Sequence, residues 1–218
     1  DKYFSGQPDA PVLFYTGNES PVEEYINGTG LMWTLGPKLK GLIVFAEHRY
    51  FGESVPKLQG VRNCLAYCTS QQALADHAMP AIHIRATWKV PDAPVIAFGG
   101  SYGGMLAAWA RIKYPNVFAG SIAASAPLWG YPLLDPPVDG ASRSITRAAS
   151  AEGGAAASCK TNIFNAYPLM FDIGKTKEGL KYISEKFGLC KPLETQADLE
   201  AFIQYAQAPW FLLAEGDY

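Results

Sequence analysis

Ser101 stands inside Gly99-Gly100-Ser101-Tyr102-Gly103, a G-x-S-x-G pattern with one more glycine at 104. A serine hydroxyl is a weak nucleophile until a base takes its proton and hydrogen-bond donors hold the oxyanion that forms. Glycines on both sides allow such a serine to sit in a tight, strained turn, because no Cβ blocks the neighbouring backbone. The chemistry that fits is acyl transfer: Ser101 attacks a carbonyl carbon while the Tyr102 N–H and the helix N-terminus face the oxyanion. The pattern also arises by chance in glycine-rich chains, and this one holds 21 glycines. Cradling a phosphate is the other use of such a turn. Residues 99–104, however, do not spell G-x-G-x-x-G and are not continued by Gly-Lys-Ser/Thr.

The surrounding elements decide between these uses. Residues 95–98, Val-Ile-Ala-Phe, form an apolar run short enough for a strand buried on both faces. Behind the turn, Met105, Ala108, Trp109 and Ile112 recur at helical spacing, and Pro115 forbids a long continuation. Strand, tight turn, helix is the setting that a nucleophile elbow requires. Further buried strands are expected at 11–15, 41–46 and 118–126. The turn after the first of them, Thr16-Gly17-Asn18-Glu19, has two readings. It can expose backbone N–H groups of Gly17 and Asn18 as the second half of an oxyanion hole, or it can be an ordinary turn with Asn18 or Ser20 capping a helix. Residues 21–40 read as helical in parts, broken by Gly28 and Gly30 and stopped by Gly41. A helix is expected from Thr69 to about Trp88, kinked or interrupted at Pro80. Strands alternating with helices give a mostly parallel α/β sheet. From Leu128 the texture changes: Pro132, Pro136 and Pro137 mark a linker, and 180–187 and 196–206 have helical composition. The division drawn is residues 1–130 as the α/β core and 131–218 as a helical insert.

The remaining reactive residues carry less. His48, His77 and His83 are the three histidines, and none follows Ser101. His48 ends a strand neighbouring the nucleophile strand, where a base is conceivable; with Arg49 it reads better as tying down a loop. His77 and His83 are six residues apart and share no metal-binding helix face. Cys64 and Cys68 lack a second ligand pair, so no metal is expected, nor any cofactor; the two are expected to pair and close the surface loop at 58–67. Asn27-Gly28-Thr29 is a glycosylation sequon, whereas Asn18-Glu19-Ser20 is followed by Pro21 and is expected to stay bare. A net charge of −2 with no Lys/Arg run argues against nucleic acid and membrane-surface partners. Apolar runs are too short to span a bilayer. Cysteines with a sequon suit a protein of the secretory route.

Several segments together resemble one family. These are Phe14-Tyr-Thr-Gly-Asn-Glu19, Val44-Phe-Ala-Glu-His-Arg-Tyr-Phe-Gly-Glu-Ser54, Gln72-Ala-Leu-Ala-Asp76, Gly99-Gly-Ser-Tyr-Gly-Gly-Met-Leu-Ala107 and Ala123-Ala-Ser-Ala-Pro127. They resemble the prolyl carboxypeptidase family of serine peptidases, closely over 11–130 and loosely over 131–218. The resemblance implies an α/β-hydrolase domain interrupted by a helical cap, with Ser101 as nucleophile. It implies Tyr102 N–H and the Gly17–Asn18 turn as the oxyanion hole, and Met105 and Glu19 at the substrate. From the residues alone Met105 reads as core packing. The implied activity is serine exopeptidase cleavage of short peptides beside proline, in lysosome, vacuole or outside the cell. The triad's Asp and His are expected beyond residue 218, so the stretch reads as the nucleophile-bearing portion of a larger enzyme. A homodimer or a second chain carrying the rest is the expected partner. Cys159 and Cys190 resemble family cysteines that pair beyond residue 218. An esterase or lipase of the same fold, and a noncatalytic binding protein on a hydrolase scaffold, are the alternatives.

Overall fold

A computed structural model describes residues 2–57, 64–128 and 140–216. Residues 58–63 of the expected loop and the proline-marked linker at 132–137 lie outside the described residues. The chain divides into two compact units, Asp1–Trp129 and Gly130–Tyr218.

The first unit is built on four strands: β1 (Val12–Thr16), β2 (Leu42–Ala46), β3 (Val95–Gly100) and β4 (Phe118–Ala124). They are all parallel, in the order β2-β1-β3-β4. Each connection carries helix: α1 (Val22–Gly28) and α2 (Leu31–Leu39), then α3 (Ser70–Thr87), then α4 (Ser101–Lys113). The period-two alternation of side chains divides β1 between two cores. Val12 and Phe14 pack with Leu74, Ala78 and Ala81 of α3 and Leu106 and Ala110 of α4. Leu13 and Tyr15 pack with Met32, Tyr25 and Leu35 of α2 and α1 on the other face. A sheet covered on both faces explains why its strands read as continuous apolar runs rather than alternating ones. β4 is an edge strand, and Ile122 on it is 43% exposed.

The break between α1 and α2 falls at Thr29 and Gly30, and Lys40 ends α2 in the left-handed region at φ 50°. Neither Asn18 nor Ser20 caps α1. Pro21 holds the cap position, and the carboxylate of Glu47 accepts from Val22 N–H at 3.1 Å instead. Thr69 caps α3 as expected, accepting from Gln72 N–H at 3.3 Å. Of the kink or interruption expected at Pro80, the interruption does not occur: α3 is one helix through it. A proline removes one donor from a helix, and here packing of Ala73, Leu74, Ala78 and Ala81 against the sheet carries the helix through it.

Cys64 and Cys68 are not bonded, and all four cysteines are free thiols. Hydrogen bonds close this segment instead: Cys68 N–H to Leu65 O at 3.0 Å, Tyr67 N–H to Tyr50 Oη at 3.2 Å, and Arg49 Nη1 to Tyr67 O at 3.2 Å. Asn27 is exposed at the end of α1, whereas Asn18 is buried.

The described residues of the second unit contain helices and no strand: α5 (Gly140–Ala148), a 3-10 turn (Ala151–Gly153), α6 (Cys159–Ile173), α7 (Lys177–Phe187) and α8 (Gln196–Gly216). Met170, Leu180, Ile183, Leu193, Leu199 and Ile203 form its core. Thr176 caps α7 by accepting from Gly179 N–H, and Gly188 ends it at φ 60°. α5 and α6 were not anticipated. Pro168 within α6 reads locally as a break, yet the helix passes through it, as α8 passes Pro209.

Candidate active site

β3 runs into α4 with no intervening residue, and Ser101 at the junction has φ 54°. A non-glycine residue in the left-handed region is strained by contact between its Cβ and the following carbonyl. The packing around the turn requires it. A Cβ on Gly99 would lie 2.1 Å from the carbonyl oxygen of Gly103, and one on Gly103 would lie 2.8 Å from that of Thr16. Glycine at both positions lets the first turn of α4 close against the ends of β1 and β3. The outcome is that Ser101 is exposed while the helix behind it is buried.

The end of β1 braces the same turn. Thr16, fully buried, places its hydroxyl 2.7 Å from the carbonyl oxygen of Gly103 and 3.1 Å from that of Phe98. Asn18 Nδ2 donates to Gly100 O at 3.3 Å, and Asn18 Oδ1 is buried with no partner among the described residues. The N–H of Gly17 donates to Ala46 O at 2.9 Å, so it is committed to the sheet rather than to an oxyanion. Glu19 is exposed one residue further on. Tyr15 lies beneath the turn; burial pushes its phenol pKa up, and Tyr25, stacked on it at 5.5 Å, adds to the rise.

Met105 is 1% exposed. That burial fits the core packing that the residues alone suggest for it, since Met105 falls on the helix face shared with Ala108, Trp109 and Ile112.

The three histidines occupy different settings. His48 is 2% exposed, with Nδ1 2.7 Å from Arg49 O and Nε2 3.0 Å from Tyr102 Oη. Arg49 makes a two-bond ion pair with Asp76 on α3, Nε to Oδ2 at 2.5 Å and Nη2 to Oδ1 at 2.6 Å. His77 is 1% exposed against Phe14, and its Nε2 has no partner among the described residues. Burial, with His48 6.4 Å away, pushes its pKa down to about 4. His83 is exposed and meets Thr87 Oγ1 at 3.2 Å. No hydrogen bond joins any of them to Ser101 among the described residues.

Glu47 starts the loop that carries His48. Burial would raise its pKa, but hydrogen bonds from Ser54 and from Val22 N–H outweigh that and hold the carboxyl below its ordinary range. The sequence drew attention to Glu47, His48 and Arg49 as a run. It left unread that the run reaches Val22, Tyr102 and Asp76, each on a different element. The signal was present: Asp76 and Tyr102 both lie in segments already singled out.

A parallel sheet whose central strand turns sharply into a helix through a serine at positive φ is the α/β-hydrolase fold. Residues 1–211 match serine carboxypeptidase S28, and the chain belongs to that family. It is 40% identical over 225 aligned positions to human lysosomal Pro-X carboxypeptidase, covering the whole of this chain and 44% of that protein. It is 38% identical to prolyl carboxy peptidase like protein 5 of Caenorhabditis elegans, again over the whole chain and 43% of the relative. Mouse thymus-specific serine protease is 30% identical over 94% of this chain and 40% of its own length. The chain thus spans less than half the length of these relatives.

Proposed function

We propose that the chain carries the nucleophile of a serine exopeptidase that cleaves short peptides at bonds next to proline. The observation that carries the proposal is the exposed Ser101 held at φ 54° between a parallel strand and a buried helix. Ser101 Oγ attacks the scissile carbonyl carbon, the C–N bond breaks with the proton going to the leaving amine, and water later releases the acyl group from Ser101. The Tyr102 N–H, in the first turn of α4, faces the oxyanion with the favourable end of the helix dipole behind it. Asn18, braced on Gly100, supplies the opposite side of the hole, and Gly17 shapes the turn that carries it. Glu19, exposed beside Asn18, is the charged residue nearest in sequence to this hole and is assigned to the substrate. None of the three histidines is hydrogen-bonded to Ser101 among the described residues, so the base and its Asp partner are assigned to the part of the relatives' length that this chain does not span. The second unit is assigned as a helical cap.

The names of the Pro-X carboxypeptidase relatives support proline at the scissile bond and a lysosomal setting. The test is turnover and labelling in the intact protein. A fluorophosphonate is expected to attach to Ser101, and a Pro–X peptide is expected to be cut faster than its Ala–X counterpart. Ser101→Ala is expected to lower kcat by about 10⁴-fold or more, leaving the residual rate due to binding and the oxyanion hole. Retention of half the activity in that variant would end the proposal.

A further inference from the structure

His48 lies two residues beyond β2 and uses both ring nitrogens. A carbonyl oxygen only accepts, so the contact of Nδ1 with Arg49 O at 2.7 Å puts the proton of the neutral ring on Nδ1. Nε2 is then an acceptor, and the Tyr102 hydroxyl at 3.0 Å donates to it. The ring has little freedom to turn away. Phe51 meets it edge-on at 5.3 Å, Tyr102 lies tilted to it at 5.4 Å, and the residue is 2% exposed. Arg49, next in the chain, is fixed by its two-bond pair with Asp76 on α3. A continuous set of hydrogen bonds and one peptide link therefore runs from α3 through Arg49 and His48 to the phenol of Tyr102.

Tyr102 follows Ser101 directly. A backbone held in a sparsely populated region persists only where its surroundings over-determine it. The glycines of the turn permit the conformation, but permission does not hold it in place. Thr16 and Asn18 grip the turn from the β1 side. Tyr102 grips it from the side of the loop after β2.

We infer that the Tyr102–His48 hydrogen bond is a clamp that sets the orientation of the Tyr102 peptide N–H, and with it the oxyanion side of the Ser101 site. His48 and the Tyr102 phenol are positioning residues; neither touches the substrate. The inference rests on the serine acyl-transfer reading above and adds to it a determinant of rate on a separate loop.

The experiment follows four variants of the intact protein: His48→Leu, Tyr102→Phe, the double variant, and His48→Gln. It reads kcat and KM on a Pro–X peptide, the rate of fluorophosphonate attachment to Ser101, and the melting temperature. His48→Leu and Tyr102→Phe are each expected to lower kcat and the labelling rate by about 10- to 100-fold, the range for a small misplacement of a catalytic group, with KM unchanged. Because both remove one bond, the double variant is expected to be no slower than the slower single variant. His48→Gln keeps an acceptor for the phenol and is expected to recover most of kcat. His83→Gln, on the exposed side of α3, serves as the control and is expected to match the wild type. Tyr102→Phe deletes one oxygen and keeps the ring, so the test survives if His48→Leu fails to fold. Additive losses in the double variant, or a lower melting temperature with kcat unchanged, overturn the clamp. If every variant labels at the wild-type rate, the clamp alone falls. If the wild type takes no label at Ser101, the serine reading falls and the clamp with it.

Discussion

Gly99 has another residue's carbonyl where its own methyl would go. That contact, 2.1 Å from an added Cβ to Gly103 O, involves backbone on both sides, so no side-chain rotation relieves it. Gly99→Ala must either move α4 away from β3 or flatten the turn at Ser101. It is expected to destabilise the protein by about 3 kcal/mol or more, the upper range for overpacking, and to slow fluorophosphonate attachment to Ser101. Thermal melting and labelling rate measured together decide it: an alanine variant that melts and labels like the wild type would remove the steric account of the elbow. Met105 illustrates the opposite limit. It sits one turn after the nucleophile and is 1% exposed, a large side chain taken up in packing.

Helix α3 shows how an element can serve a site it does not touch. Its buried face packs on the sheet through Ala73, Leu74, Ala78 and Ala81, while Asp76 projects to Arg49. Thr69 caps its first N–H groups, two turns before Asp76. Thr69→Ala is expected to cost about 1 kcal/mol, the ordinary value of an N-cap side chain. A denaturant titration is expected to shift in midpoint with its slope unchanged; no shift would mean that water satisfies the first turn equally well. Helix α1 solves the same problem from outside. Its cap position is a proline, and the acceptor for Val22 N–H is the Glu47 carboxylate from the loop after β2. Local sequence around residue 21 offered Asn18 and Ser20 as caps, and the structure uses neither.

At the scale of the whole molecule, the helices packed on the sheet bury the titratable ring of His77, with that of His48 6.4 Å away. His77, on α3, is 1% exposed against Phe14, and its pKa is pushed down to about 4, by burial first and by His48 second, with Asp76 acting the other way. The unfolded chain binds a proton at this ring below pH 6.5, while the folded one stays neutral until about 4. Stability from this residue is thus fully present above pH 6.5 and falls as pH drops from 6.5 to 4, by roughly 3 kcal/mol in total. Melting temperature recorded between pH 7 and pH 4 is expected to decline less steeply for His77→Phe than for the wild type. Parallel declines would show that His77 binds its proton as readily in the folded chain as in the unfolded one. The pressure is relevant to a protein proposed to work in an acidic compartment.

Strand positions, the turn at Ser101 and the cap at Thr69 were legible in the amino-acid sequence because each depends on residues within a few places of one another. A strand buried on both faces needs only an apolar run, a tight turn needs glycine at fixed offsets, and an N-cap needs one hydroxyl. The break at Gly28–Gly30 and the family membership were readable for the same reason, since motifs are local strings. Tertiary structure decided what depends on distant residues meeting. It committed Gly17 N–H to Ala46, capped α1 with Glu47, joined Arg49 to Asp76 and Tyr102 to His48, and buried Met105 and His77. It also carried α3, α6 and α8 through prolines that local rules treat as breaks. Around α3, contacts with the sheet outweigh the single hydrogen bond a proline removes. Cys64 and Cys68 are unbonded, and their segment is held by Cys68 N–H to Leu65 O and Tyr67 N–H to Tyr50 Oη. Spacing along a chain says which groups are able to meet; packing alone decides which of them do.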